Sequence, residues 1–197
     1  MTPGPTQKID IPAGILAFIF PGAGHILRRE FRRGVLASVG VLGLFFYGLF
    51  MGGIDVIDRK EDKWWFYGQA VVGPIAFGTN ALHQSAFKAY EVPEYLLLPG
   101  SAIEEHRFVQ FPHRSLNPGE ARRVTSITIR SSTGQNLPRE IPVIVPAEDG
   151  DERPNIKSLG TLNELGMLSA TIAGMLNFII ILDALFPGRL KPEGAKQ

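Results

Sequence analysis

Nearly all the apolar residues of this chain fall in four blocks, and nearly all its charge falls between them. A transmembrane helix needs about 20 predominantly apolar residues to cross ~30 Å of hydrocarbon, so the length of each block limits what it can become. The first, IPAGILAFIFPGAGHIL (residues 11–27), is short and ends in helix breakers. The second, GVLASVGVLGLFFYGLFMGGI (34–54), carries no charge. The third, WWFYGQAVVGPIAFGTNAL (64–82), opens with amphipathic aromatics that favour the headgroup level. The fourth, LGMLSATIAGMLNFIIILDALF (165–186), is interrupted by Asn177 and Asp183. The expected fold is an α-helical integral membrane protein of four transmembrane helices with a small β-rich soluble insertion.

The segments follow from the same pattern. Residues 1–10 form a polar N-terminal tail, and 11–87 hold three membrane helices, including the PGAGH/RREFRR hairpin. A soluble insertion occupies 88–158, the fourth helix 159–187 and a C-terminal tail 188–197. The insertion is rich in proline and carries short alternating runs, HRFVQF, RRVTSITIR and EIPVIVP, that read as strands. Between the last two, SSTGQNLPR reads as a turn.

A net charge of +1 argues against a general nucleic-acid binder. The absence of cysteine excludes disulfides, thiolate metal sites and cysteine nucleophiles. His106 and His113 stand near Glu104 and Glu105 in no recognised ligand spacing. Ser131, Ser132 and Thr133 lack a nucleophile elbow, and no phosphate-binding glycine loop is present. Neither a catalytic group, a metal site nor a cofactor is expected.

In PGAGHILRREFRRG, Pro21 removes a helix hydrogen bond, while Gly22 and Gly24 permit tight packing or positive φ. Arg28, Arg29, Arg32 and Arg33 then lie at phosphate depth before Gly34 restarts the helix, a hairpin suited to lipid headgroups. These residues are similar to the Pro-Gly-x-Gly, short spacer, Arg-Gly signature of the two-transmembrane-span domain family and its bacterial relatives. The stretch GTLNELGMLSATIAGMLNFIIILDAL also resembles the closing helix of one such uncharacterised bacterial family. The resemblance implies a multi-pass protein of a bacterial inner membrane, without established chemistry.

Small residues recur at helix-packing spacing: Gly166, Ala170 and Gly174 in the fourth block, Gly48 and Gly52 in the second, Ala13 and Ala17 in the first. Asn80, His83, Asn177 and Asp183 are the intramembrane polar candidates. Four spans would put His25 and His83 at one boundary and Asp183 at the other. Four arginines within the first hairpin resist translocation, which would leave both termini outside and place the arginine loop and the strand-rich insertion in the cytosol. The expected role is a non-enzymatic scaffold or accessory subunit of a membrane complex, with the lipid bilayer and other membrane subunits as partners. The alternative is a transporter or channel subunit using Asn177 and Asp183.

Overall fold

Proline and glycine divide the apolar blocks. In the computed structural model, which describes residues 9–151 and 161–187, helix α1 (Ile11–Ile19) begins at Asp10, whose carboxylate accepts the Ala13 amide at 3.2 Å. It stops just before Pro21. Gly22, at a φ of 82°, reverses the chain into α2 (Ala23–Leu27). Helix α3 (Phe31–Gly52) runs uninterrupted for 22 residues. The third block breaks in the same way: α4 (Lys63–Ala70) ends, Gly73 turns at a φ of 111°, and α5 (Pro74–Leu82) starts with proline in its first turn, where a missing N–H costs nothing.

The expected four-helix membrane fold therefore does not form. Among the described residues, two helices are long and apolar enough to cross a membrane, α3 and α7 (Thr161–Leu185). The other two blocks each fold as a pair of short helices. At 1.5 Å per residue, nine residues reach about 13.5 Å, roughly half the hydrocarbon thickness.

Helices α3 and α7 are antiparallel: Gly52 packs on Asn163 at one end and Arg33 bonds Asp183 at the other. The α1–α2 hairpin lies along the C-terminal part of α7, with the Asp10 amide donating to the Leu185 carbonyl at 2.9 Å and Gly24 against Ala184. The α4–α5 hairpin enters from the opposite end, where Gly68 packs on Thr171 and Gly174. The two hairpin tips meet near Asn177, and Gly73 abuts the Phe18 carbonyl so closely that a side chain there would overlap it. Val41, Phe45, Phe66, Val72, Ala76, Ala170 and Ala173 form the bundle core. The outer faces remain apolar and exposed, as at Leu36, Val39 and Phe50 on α3 and Met175, Phe178 and Ile179 on α7.

Beyond α5, a single π turn (His83–Phe87) leads into a mixed five-stranded sheet. Its strands are β1 (Lys88–Tyr90), β2 (Ala102–Glu104), β3 (His113–Ser115), β4 (Glu120–Arg130) and β5 (Asn136–Pro146), in the order β2-β4-β5-β1-β3. The long β4–β5 hairpin pairs Glu120 with Pro146 through to Arg130 with Asn136, and Ile127, Ile129, Ile141 and Val143 face a second core with Leu96 and Phe108. HRFVQF, expected as a strand, instead supplies the short helix α6 (Glu105–Phe108) and a turn. Leucine and phenylalanine anchors, not backbone pairing, hold that segment to the sheet.

The sheet follows the Gly52 end of α3, and the arginines bracket the start of that helix at its other end. The arginine loop and the strand-rich insertion, expected on one side, thus sit at opposite ends of the α3–α7 pair. The cause is the pair of turn-backs: each hairpin returns to the end from which it entered.

Candidate functional site

Three polar clusters are spaced along this frame. The most deeply buried is the joint between bundle and sheet. Asp55 and Asp58 come from the connection after α3, His83 from the π turn after α5, Lys88 from β1 and Ser115 from β3. Asp55, Asp58, His83 and Lys88 are each 5% exposed or less. The Lys88 ammonium contacts Asp58 and donates to Glu61 Oε1 at 2.7 Å. Asp58 Oδ1 also accepts the Lys60 amide at 2.7 Å and Gln84 Nε2 at 2.8 Å. Burial pushes the Asp58 carboxyl upward, but the Lys88 ammonium and the Lys60 and Glu61 amides outweigh it and hold the group below the usual aspartate value. His113, in the neighbouring strand, is pushed down by burial and by the charges of Lys60 and Lys88.

Ser115, His83 and Asp55 invite comparison with a hydrolytic triad. Ser115 Oγ lies 3.1 Å from His83 Nε2 and donates to Asp55 Oδ1 at 2.7 Å, while that carboxylate oxygen is 3.4 Å from the same Nε2. In a working triad the carboxylate orients the histidine through one nitrogen and the hydroxyl meets the other. Here both crowd one nitrogen, and the buried Nδ1 has no hydrogen-bond partner. The arrangement does not prepare a nucleophile.

Asp55, Asp58 and His83 bring three ligand atoms within 4.8 Å of one another and could hold a metal. Lys88, fully buried, already supplies a cation to one of these carboxylates, Asp58. Spacing in the sequence did not reveal this cluster, because its members come from four separate elements. The one available signal was the run of acids in DVIDRKED after an apolar block.

The second cluster is the seam where the hairpins meet. Asn177, fully buried, donates through Nδ2 to the Val71 carbonyl at 2.8 Å and more weakly to Ala17 at 3.4 Å. Each of those carbonyls sits at the end of a broken helix, where backbone acceptors lack an intrahelical donor. Around this seam the small residues interlock: Gly48 backs onto Gly166 and Ala170, Gly174 onto Gly68, and Ala13 and Ala17 pack with Ala184. Asn80, by contrast, lies toward the joint and accepts the Arg59 amide at 3.0 Å.

The third cluster closes the arginine end. His25, 3% exposed, stands 3.4 Å from Glu30 and 3.5 Å from Asp183. Arg33 binds Glu30 at 3.1 Å and Asp183 at 3.0 Å, and Arg28 binds Glu30 at 3.1 Å. His25 and Asp183, expected at opposite boundaries, therefore meet. The reversal at Gly22 carries His25 back to the end where α7 finishes. In the sheet, Glu104 and His106 pair at 3.3 Å, both exposed, and border an open pocket of about 620 Å³ with Arg130, Ser131 and Ser132.

The profile of a family of unknown function (DUF6677) matches residues 12–196. The chain belongs to that family. The match covers both long helices, both hairpins and the sheet, and carries no link to the two-transmembrane-span hairpin family. No curated protein and no solved structure matches the chain.

Proposed function

We propose that this protein is a non-enzymatic membrane platform: α3 and α7 span a bilayer, the two short hairpins pack against the pair from opposite ends, and the sheet is presented in a fixed pose to a partner subunit of a membrane complex. The observation that carries the reading is the joint, where Asp55, Asp58, His83, Lys88 and Ser115 tie the sheet to the bundle through buried polar contacts. A passive anchor would need no such fastening. The exposed apolar faces of both long helices suit lipid, and Trp64, 86% exposed beside Lys63, suits a headgroup boundary.

Orientation follows from the arginine end. Arg28, Arg29, Arg32 and Arg33 lie there, and Lys8, Arg189, Lys191 and Lys196 flank it in sequence. Toward the opposite end the sequence has fewer, Arg59, Lys60 and Lys63 after α3 and Arg153 and Lys157 before α7, and long loops translocate largely regardless of charge. The arginine end is therefore cytosolic, and the sheet lies on the far side. A transport role for Asn177 and Asp183 has less support: Asp183 is held in ion pairs at the arginine end, and the Nδ2 of Asn177 is engaged by backbone carbonyls.

The chain has no cysteine, so single thiols at Ser132 in the sheet and Phe186 after α7 report without background. In intact cells, Ser132→Cys should react with an impermeant thiol reagent and Phe186→Cys should not. Spin labels at both positions should give one narrow distance distribution. A broad distribution would remove the fixed-pose platform, and inverted labelling would reverse the orientation.

A further inference from the structure

We propose that Arg29 and Arg32 bind the phosphate of an anionic phospholipid headgroup; this rests on the membrane reading above and divides the four arginines into two pairs with different tasks. Arg28 and Arg33 point inward to Glu30 and Asp183. The side chains of Arg29 and Arg32 are exposed and make no hydrogen bond or ion pair among the described residues. Among the described residues, His25, Arg28 and Arg33 crowd Glu30, and neither Arg29 nor Arg32 pairs with it or with Asp183.

Both unpaired arginines occupy positions that local physics assigns to other residues. Arg29, at a φ of 62°, is the one non-glycine with positive φ among the described residues, where seven glycines adopt such angles. It closes α2, its amide donating to the Ile26 carbonyl at 2.9 Å while the Glu30 amide donates to His25 at 2.9 Å. That is the position where a helix ending of this type favours glycine. Arg32 stands in the first turn of α3, where the helix dipole disfavours a cation and favours an anion. Local preferences broken without an internal compensating contact point to a use for the side chains. Leu27, Phe31 and Leu36, all more than half exposed, surround the pair. An apolar rim beneath two free guanidinium groups matches a phosphate joined to acyl chains better than a free anion in water.

The test uses the full chain in detergent micelles doped with phosphatidylglycerol or phosphatidylcholine, with retained lipid counted by native mass spectrometry. The parent should retain phosphatidylglycerol selectively, and each of Arg29→Gly and Arg32→Gln should weaken that binding about fivefold. Arg29→Gly should also raise the unfolding temperature in phosphatidylcholine micelles, since glycine relieves the backbone. A purely structural arginine would lower it. Equal retention of both lipids by the parent, or unchanged selectivity in the double variant, would overturn the proposal. So would loss of selectivity in the presence of inorganic phosphate at the lipid's concentration, which would assign the site to a free anion. A chain that stays monodisperse without detergent would instead overturn the membrane reading, and the lipid site with it.

Discussion

The two ends of the bundle use the same side-chain chemistry under different solvation. Each joins a buried histidine to two acids and a cation: His83 with Asp55, Asp58 and Lys88 at the sheet end, His25 with Glu30, Asp183 and Arg33 at the arginine end. At the sheet end Lys88 is 0% and Asp58 1% exposed, and of the partners of Lys88 Glu61 alone reaches water, at 38%. At the arginine end Arg33 is 54% and Asp183 41% exposed. Water screens an exposed pair and re-solvates either partner when the other is lost, whereas a sealed charge has no such recourse. One end is thus a fastener and the other an adjustable surface, although a list of residue types would not tell them apart.

Removing Lys88 tests that difference most severely. Lys88→Met should leave Asp58 buried without its ammonium and destabilise the fold by about 3–5 kcal/mol, read as thermal unfolding in detergent. The paired change Lys88→Met with Asp58→Asn should recover part of the loss. If the double variant were no better than the single one, the ammonium would act through packing and the fastener reading would fail.

Asn177 belongs to neither end and calibrates the two. Asn177→Leu removes the donor that closes both hairpin tips, leaving carbonyl groups unsatisfied at a cost of about 1–3 kcal/mol. A loss as large as that at Lys88 would move the mechanical centre of the molecule from the joint to the seam.

Acid should act next, at the surface of the sheet. Glu120 is held by a bidentate Arg114 at 2.7 and 2.8 Å and by the Asn117 amide at 2.7 Å. The hydrogen bonds from Arg114 lower its carboxyl from 4.5 to about 2. A lowered carboxylate contributes stability that is complete above 4.5 and lost as pH falls towards 2. The unfolding temperature should decline through that window, and Arg114→Gln should flatten the decline. Asp58 and the exposed Asp151, both held below the usual aspartate value, contribute with the same sign, so part of the slope should remain in Arg114→Gln.

How much of this was legible in the sequence depends on the range of the signal. The two long apolar helices declared themselves by length, and β4 and β5 by alternation. The small residues at 48, 166, 170 and 174, spaced for helix packing, lie at contacts between helices. Pro21-Gly22 and Gly73-Pro74 were also visible as breakers. Block length alone treats a half-length hairpin and a full span alike, so two turn-backs were counted as two crossings. Every later displacement follows from that step: Asp183 moved to the wrong end from His25, and the sheet moved to the side of the arginines. The joint was illegible for another reason. Asp55, His83, Lys88 and Ser115 are brought together only when the sheet docks, and no local pattern encodes that meeting.

The smallest expected effect is the one that most sharpens the comparison. Arg33→Gln breaks two ion pairs, with Glu30 and Asp183, yet both partners retain access to water and Arg28 still reaches Glu30. The loss should be at most ~1 kcal/mol. Raising the salt should shrink the difference between parent and variant further, because the Debye length falls from about 10 Å at 0.1 M to about 3 Å at 1 M. Insensitivity to salt, or a loss of several kcal/mol, would mean that lipid headgroups seal the arginine end as thoroughly as the sheet seals the joint. Repeating the measurement in micelles with and without phosphatidylglycerol would then decide between sealing by lipid and sealing by the protein itself.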